Sequence, residues 1–263
     1  MAWLEARSLR KEFPLAGSLK VALDDFSLSV GREDFVGIVG RSGSGKTTFL
    51  RIVAGLLEMT SGELSFEGGS EGEEGGTTRP KIGMVFQEPR LLPWLSVREN
   101  VLFAFLNDPK PTQPRERADA LIEMLGLGGY EKAYPSQLSG GMAQRVALGR
   151  ALCYEPEMIL MDEPLGALDY FTRSALRDEI LGIYLSGGKT ILLVTHDVEE
   201  AILLSRRIVV LDDGRKITEI PVDLEYPRRR SHPRFSEILD EALSLVAKPE
   251  RQKAPDEPSR SSI

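Results

Sequence analysis

The stretch Gly40-Arg41-Ser42-Gly43-Ser44-Gly45-Lys46-Thr47 decides how the rest of this chain is interpreted. It fits the pattern G-x-x-x-x-G-K-[ST], in which the N–H groups of a glycine-rich loop wrap around phosphate groups. Residues 35–39 before it favour a short apolar strand, and residues 48–53 after it favour a helix. A glycine-rich turn before a helix could match by chance, but strand, loop and helix together predict a phosphate-binding α/β fold.

The residue types in this loop suit a polyphosphate. The glycines let the backbone adopt positive φ angles and approach the phosphates without a Cβ atom in the way. Lys46 can reach the β- and γ-phosphates, Thr47 can bind Mg²⁺, and the helix N-terminus adds about half a positive charge. The predicted nucleotide-binding residues of this segment are Gly40, Ser42, Gly43, Ser44, Gly45, Lys46, Thr47 and Thr48.

A second motif, Leu138-Ser139-Gly140-Gly141-Met142, also precedes an apolar helical pattern. Ser139 is a good N-cap, and the two glycines leave the first N–H groups of the helix accessible to an anion. Glycine in a first turn costs about 1 kcal/mol relative to alanine, which indicates that these glycines serve a purpose. The alternative is an ordinary capped helix in which they only relieve crowding.

Two further motifs follow apolar segments that suit buried parallel strands. Asp162 and Glu163 follow residues 158–161, and His196 follows residues 191–194 with one threonine between. Parallel strands place their carboxyl ends at one edge of the sheet, where α/β proteins bind ligands. We therefore expect these three side chains to lie together. Acidic residues can also simply end a strand, and a lone histidine is more often structural.

The order of these motifs resembles that of the ATP-binding cassette (ABC) ATPases, whose signature motif is similar to the segment beginning at Leu138. The resemblance extends from about residue 4 to about residue 246. It implies an α/β fold with a P-loop NTPase (RecA-like) core, an antiparallel β subdomain and an inserted α-helical subdomain. Residues 1–246 would form one domain, with residues 1–88 and 156–246 in the core and residues 89–155 in the helical subdomain. We expect residues 247–263 to be a disordered tail, since they are rich in proline, serine and charge.

The resemblance implies roles for the residues at the predicted sheet edge. Glu163 would polarise the attacking water, His196 would contact the γ-phosphate, and Lys46 would act with them in catalysis. Asp162 would join Thr47 in the Mg²⁺ shell. A carboxylate suits both acidic positions, since one neutralises a cation and the other orients or accepts a proton.

Two further positions resemble parts of the family's site. Gln87 matches a catalytic loop glutamine that contacts Mg²⁺ and the water, in a loop that joins the core to the helical subdomain. Phe13 lies where the family places an aromatic residue, often tyrosine, that stacks on adenine. Phenylalanine keeps the face needed for stacking, and core packing is an open alternative.

The working unit implied by the resemblance is a head-to-tail pair of chains. Ser139, Gly140 and Gly141 of one copy would complete the ATP site of the other. Asp169 belongs to a segment that resembles the loop crossing the dimer interface, and Gly166 stands there where serine is commoner. ATP and Mg²⁺ are the expected ligands.

The run from Phe86 to Val101 resembles the ATPases of bacterial importers for nitrate, sulfonates, taurine and similar small solutes. Met142 replaces the glutamine most often found at the end of the signature, and this departure is shared by the same subgroup. Pro93 and Trp94 also permit a structural interpretation, in which proline ends a turn and tryptophan packs in the helical subdomain.

The expected partners are a second copy of the chain or a homologous ATPase subunit, integral membrane permease subunits and, indirectly, a solute-binding protein. The expected location is the cytoplasmic face of the cell membrane. The alternatives are a soluble ABC ATPase acting on DNA or ribosomes, an exporter cassette, or a degenerate cassette that only binds nucleotide. The sequence disfavours them, since it contains no coiled-coil insertion, second cassette or fused membrane span and retains Lys46, Asp162, Glu163 and His196.

Composition agrees with this interpretation. The 263 residues are 41% hydrophobic, which is sufficient for a sizeable core. A net charge of −7 argues against nucleic acid as a partner, because nucleic-acid binding requires a basic face. No stretch has the length of a membrane span or the pattern of a signal peptide. The single cysteine, Cys153, predicts a small packing residue in a reducing compartment.

Several remaining patterns predict local structure. The glycine- and glutamate-rich residues 67–76 predict a mobile hairpin loop, with metal binding as the less favoured alternative. The arginine run 228–230 predicts a solvated segment rather than a nucleic-acid patch. Asp197, with Glu200 three residues later, predicts a capping box. The turn at residues 212–215 predicts a hairpin, followed by an amphipathic helix with its apolar stripe at Phe235, Ile238, Leu239, Ala242, Leu245 and Val246.

Overall fold

The computed structural model describes residues 2–15, 17–67, 79–106 and 112–247. Two predictions fall almost entirely outside these ranges. Of the predicted mobile loop at residues 67–76 only Glu67 is described, and of the predicted tail only Ala247.

The strands of the described residues form two sheets. They are β1 (Leu4–Leu15), β2 (Ser18–Val30), β3 (Phe35–Val39), β4 (Ser61–Phe66), β5 (Ile82–Val85), β6 (Met158–Asp162), β7 (Thr190–Thr195), β8 (Arg207–Asp212) and β9 (Arg215–Pro221). The larger sheet has the order β5-β6-β7-β3-β8-β9, and the smaller, antiparallel sheet has the order β2-β1-β4. In the larger sheet only β9 runs antiparallel to its neighbour.

The predicted strands of the core are confirmed. β3, β6 and β7 have every residue buried, which explains their continuous apolar sequences. β3 lies between β7 and β8, so its carboxyl end, from which the loop 40–45 emerges, adjoins the ends of the neighbouring strands. The hairpin predicted at residues 212–215 connects β8 to β9.

The helices of the described residues are α1 (Lys46–Val53), α2 (Val97–Leu102), α3 (Pro114–Met124), α4 (Gly140–Cys153), α5 (Tyr170–Leu185), α6 (Val198–Leu204) and α7 (Pro233–Val246). Short 3-10 turns occupy Phe103–Phe105 and Pro135–Gln137. α2, α3 and α4 are inserted between β5 and β6 and share a hydrophobic cluster with one face of the larger sheet. We propose that residues 89–155, which contain this insertion, form the helical subdomain.

A second cluster joins α1 and the other face of the large sheet to the antiparallel sheet. A third cluster joins α6 and α7 to the end of β3 at Val39 and to residues of β8 and β9. α7 confirms the predicted amphipathic helix, because Phe235, Ile238 and Ala242 are buried on one side of it. The C-terminal helix is thereby packed beside the strand that leads into the glycine-rich loop.

Two local predictions need correction. Arg228 is not solvated: it is 9% exposed, and its guanidinium donates to the carbonyl oxygens of Ile202, Ser205, Val222 and Leu224. It satisfies carbonyls at the C-terminal end of α6, where a cation is favourable. The predicted capping box is only half present. Asp197 accepts from the Glu200 N–H, but the buried Glu200 carboxylate accepts from the Thr195 hydroxyl at 2.8 Å.

Candidate active site

The glycine-rich loop joins β3 to α1 and has the backbone geometry expected of it. Gly43 and Gly45 have φ angles of +82° and +104°. A Cβ atom at Gly40 would lie 2.0 Å from the Leu211 carbonyl oxygen, and one at Gly45 would lie 2.2 Å from the Ala22 carbonyl oxygen. Both positions therefore require glycine for steric reasons, independent of any ligand.

Lys46, the first residue of α1, is buried and bonded to its own loop. Its Nζ donates to the carbonyl oxygens of Gly40 and Arg41, each at 2.8 Å. Burial lowers the pKa of Lys46, and the nearby carboxylates of Glu163 and Asp162 oppose this effect. Among the described residues Lys46 forms no ion pair. A buried ammonium that forms no ion pair and lies beside a helix N-terminus suits a phosphate.

Thr47 and Asp162 bring two oxygen donors together beside Lys46. The Thr47 hydroxyl donates to Asp162 Oδ1 at 2.7 Å. Burial raises the pKa of Asp162, and the hydrogen bond from Thr47 opposes this shift. Hydroxyl and carboxylate oxygens are the ligands that Mg²⁺ prefers, and a cation would compensate a carboxylate that is only 7% exposed. The residues thus fit a divalent cation bound with phosphate.

Glu163 and His196 are in direct contact. Glu163 Oε2 lies 2.9 Å from His196 Nδ1, and the Glu163 N–H donates to the Val194 carbonyl oxygen at 2.8 Å. The backbone of Glu163 has a φ angle of +47°, which is strained for a residue with a side chain. The bond to Val194 holds this conformation against the end of β7. The expectation that the two sheet-edge motifs meet is confirmed.

A cleft of about 370 Å³ opens over the loop and α1. Of the predicted site residues, it is lined by Phe13, Ser42, Gly43, Gly45, Lys46, Thr47, Thr48, Gln87 and Glu163. Lys20 and Ala22, on β2, also line it and were missed. Lys20 pairs with Phe13 across the antiparallel sheet, and this register could not be read from a motif.

Phe13 lies at the rim of this cleft. Its ring is half-buried, it belongs to none of the hydrophobic clusters of the described residues, and Lys11 Nζ lies 5.2 Å from its centroid. Core packing is therefore wrong as the explanation of Phe13. Stacking on adenine stays a prediction.

The signature residues lie away from the cleft of their own chain. Ser139 is the N-cap of α4, as predicted, and accepts from the Met142 N–H at 3.3 Å. A Cβ atom added at Gly140 would have no neighbour within 4 Å, whereas a Cβ atom added at Gly141 would lie 2.2 Å from Thr172 Cγ2. None of the three predicted signature residues lines the cleft.

Asp169 likewise lies outside the cleft and caps α5. Its carboxylate accepts from the N–H groups of Phe171 and Thr172 at 3.0 and 3.1 Å, and bonds to Thr172 are the main cause that lowers its pKa. A nucleotide contact by Asp169 therefore stays a prediction that requires a second chain.

The loop around Gln87 is held by α4 on both sides. Gln144 donates from Nε2 to the Phe86 carbonyl oxygen at 3.0 Å, and Arg150 donates to the carbonyl oxygen of Pro89 at 2.8 Å. Burial lowers the pKa of Arg150. Gln144 and Arg150 were missed because they lie on the helix behind the signature, where their side chains give no motif of their own. They connect the signature helix to the Gln87 loop.

Trp94 does not pack in the helical region as the structural interpretation required. It is 70% exposed, on the segment that follows the Gln87 loop. A large exposed aromatic side chain is typical of an interaction surface.

Glu200 is a buried acid that the sequence assigned only to a cap. Burial raises its pKa to about 7. The Thr195 hydroxyl donates to the Glu200 carboxylate and accepts from the Asp197 N–H at 3.0 Å. This network fixes the loop that carries His196. The signal that could have found it is an acid facing inward on the apolar helix α6.

Known proteins that are similar to this chain belong to the family that its motifs resemble. The family model described as ABC transporter matches residues 23–166. The chain is 42% identical to the aliphatic sulfonates import ATP-binding protein SsuB of Bacillus subtilis over 91% of this chain and 92% of that protein. It is 44% identical to an uncharacterized ABC transporter ATP-binding protein of Methanocaldococcus jannaschii, over 92% and 91%.

A solved structure gives the same result. The dimeric post-hydrolysis state of an ATP-binding cassette bound to ADP and Pi matches with a TM-score of 0.75 and 32% identity, covering 84% of this chain and all of that one. None of the helices in the described ranges is long and apolar enough to cross a membrane.

Proposed function

Because this chain belongs to the ABC transporter family of ATPases, we propose that it is the ATP-hydrolysing subunit of a bacterial importer for small aliphatic sulfonates. The observation that carries the catalytic part is the contact between Glu163 and His196 beside Lys46 and Asp162. The solute class is supported by the name of the Bacillus subtilis relative and by the run from Phe86 to Val101, which resembles importers for sulfonates, nitrate and taurine.

We propose that the loop and α1 hold the ATP phosphates. Lys46 would exchange its two carbonyl partners for phosphate oxygens, which compensate its buried charge. Ser44 Oγ is buried and has no hydrogen-bond partner in the described structure, and a nearby anion would supply one. Thr47, Asp162 and Gln87 would hold Mg²⁺, which when bound would supply positive charge against the phosphates.

Glu163 would orient the attacking water, and its contact with His196 restricts how the histidine can act. A carboxylate accepts hydrogen bonds only, so the contact at 2.9 Å places the proton on Nδ1. A neutral ring then carries no proton on Nε2. His196 can donate to the γ-phosphate only if the ring is protonated or if Glu163 releases it.

The second half of the site would come from another copy. Ser139 and Gly140 are exposed and lie away from the cleft of their own chain. The test is light scattering of Glu163→Gln with ATP, which we expect to give dimers. Glu163→Gln combined with Ser139→Arg should remain monomeric, because the arginine side chain fills the space for the partner's nucleotide. Dimers of equal stability in both variants would exclude Ser139 from the interface.

The remaining partners follow from the proposed transport role. The exposed Trp94 and the Gln87 loop would contact permease subunits. The chain would then lie at the cytoplasmic face of the membrane, and a solute-binding protein would act through the permease. The test is to purify tagged Glu163→Gln from solubilised membranes with ATP and identify what accompanies it. A permease encoded beside a sulfonate-binding protein supports the proposal. Ribosomal or DNA-repair proteins would move the chain to the soluble ABC ATPases.

A further inference from the structure

A second cavity of about 400 Å³ lies on the part of the molecule formed by α5, α6 and the segment before α7. Its residues differ from those of the nucleotide cleft throughout. We define it as the arginine groove. Its apolar lining comes from Leu181 on α5, Leu203 and Leu204 on α6, and Pro227. The volume falls in the range of small-molecule sites.

The charged lining of the arginine groove is mainly positive. Arg177, Arg228, Arg229 and Arg230 line it, against the single carboxylate of Asp178. Arg177 lies 3.3 Å from Asp178, and Arg230 lies 2.7 Å from Glu199 at the start of α6. This concentration of arginine contrasts with the net charge of −7 of the whole chain.

Two of these cations lack a carboxylate partner. The buried Arg228 guanidinium is bonded to backbone carbonyl oxygens alone. Arg229 is exposed, and within the described ranges its side chain forms no ion pair or hydrogen bond. Because the Arg228 guanidinium already donates to carbonyl oxygens at the end of α6, Arg229 is the cation best placed to bind an anion. A guanidinium binds sulfonate, phosphate or carboxylate oxygens through parallel N–H groups.

We propose that the arginine groove is a second ligand site that binds a small soluble aliphatic anion, with the charged head at Arg229 and Arg230 and the alkyl chain on Leu181 and Leu203. A nucleic acid would need an extended basic face, whereas the net charge of this chain is −7. α5 begins after Asp169 and α6 begins after Asp197, so the ligand would touch both helices that start at the active-site loops.

The test is calorimetric titration with sulfate, ethanesulfonate, butanesulfonate and hexanesulfonate, with ADP and Mg²⁺ saturating the nucleotide cleft. Each methylene buried should tighten binding about fourfold, which corresponds to about 0.8 kcal/mol. Arg229→Ala combined with Arg230→Ala should weaken hexanesulfonate binding at least about tenfold. Leu181→Ser should reduce the dependence on chain length and leave sulfate binding unchanged.

The matched control is Arg7→Ala combined with Arg32→Ala, which removes two exposed arginines from other surfaces and should leave binding unchanged. An equal thermal midpoint shows that the groove variant is folded. Equal affinity for sulfate and hexanesulfonate, or no response to the groove variants, would overturn the proposal. So would binding detected only on phosphatidylglycerol vesicles. The groove is tested by direct binding, so this result does not depend on which solute is transported.

Discussion

The chain contains two glycine-containing helix N-termini suited to phosphate, and they differ in what surrounds them. At α1, two of the three loop glycines are packed against the backbone of β8 and β2: a Cβ atom at Gly40 or Gly45 would lie 2.0 or 2.2 Å from a carbonyl oxygen. At α4, Gly141 is packed against the Thr172 side chain, but Gly140 faces open space and Ser139 is exposed. One N-terminus is shaped inside its own chain, whereas the other is presented outward.

This difference explains how one fold can hold half of a site rigid and leave the other half free. In the loop at α1, the Lys46 ammonium is already bonded to loop carbonyl oxygens, and the Thr47 hydroxyl is already bonded to the Asp162 carboxylate. The N-terminus of α4 offers N–H groups and no charged side chain. The comparison fits the proposal that catalysis is completed by a second copy, which brings its signature to a cleft formed beforehand.

The largest expected effect is on the chemistry at the rigid half. Glu163→Gln keeps the shape of the side chain and removes its ability to accept a proton, so kcat should fall about 10³-fold with ATP still bound. Steady-state ATPase assays measure this. The control is Glu157→Gln, at the opposite end of β6, where the carboxylate pairs with Arg32 on the surface. Turnover at the parent rate in Glu163→Gln would remove Glu163 from the mechanism.

The same substitution at the two kinds of glycine tests the comparison directly. Gly40→Ala must displace the Leu211 carbonyl or the loop, which should cost about 3 kcal/mol of stability and abolish ATP binding. Gly140→Ala meets nothing within 4 Å and removes a glycine from the first turn of α4, so stability should stay equal or rise by up to about 1 kcal/mol and ATP binding should be unchanged. Urea unfolding and nucleotide fluorescence measure the pair. Equal losses of stability would show that the two N-termini are constrained alike.

The rigid half was predictable because its residues are contiguous in sequence or follow buried strands. β3, β6 and β7 are continuous apolar runs, so the edge where Asp162, Glu163 and His196 emerge follows from their pattern. Ser139 was predictable as an N-cap because its hydroxyl acts on a neighbouring N–H. Local chemistry and strand periodicity are both present in a single sequence.

Contacts between distant segments were not predictable, since no local preference specifies them. Arg228 was expected in solvent, but it is buried because the end of α6, which is distant in sequence, provides carbonyl oxygens that accept its hydrogen bonds. Glu200 was assigned to a capping box, but packing turned it inward to Thr195. In each case a polar group is buried because tertiary structure supplies its partner.

A smaller effect concerns the pH dependence of stability at the rigid half. Burial raises the pKa of Glu200 from 4.5 to about 7. The folded chain therefore binds this proton more tightly than the unfolded chain, and stability should fall as pH rises from about 4.5 to about 7, by at most about 3 kcal/mol. Glu200→Gln should abolish this component of the pH dependence and gain stability relative to the parent at pH 8.

Urea unfolding at pH 5 and pH 8 measures the difference for Glu200→Gln. Glu199→Gln is the matched control, because Glu199 is adjacent on α6, exposed and paired with Arg230. It should show the same change between the two pH values as the parent. If Glu200→Gln also followed the parent, the carboxyl would not be the group that titrates in this range.

The smallest effect is expected at the N-terminus of α4. Ser139→Ala removes one exposed capping bond of 3.3 Å, which should cost about 1 kcal/mol of stability. If Ser139 also completes the ATP site of a second copy, Ser139→Ala should have two effects. It should weaken the N-terminus of α4, and it should remove a hydroxyl group that contacts the ATP bound to the other copy. In the Glu163→Gln background, Ser139→Ala should therefore reduce the free energy of ATP-dependent dimerisation by more than it reduces the free energy of unfolding. The matched control is Ser96→Ala at the N-cap of α2, where the Ser96 hydroxyl accepts a comparable bond from the Glu99 N–H. This variant should lose stability, but its ATP-dependent dimerisation should not change. If both variants paired equally well, Ser139 would be a cap and nothing more, and the outward-facing N-terminus would need another explanation.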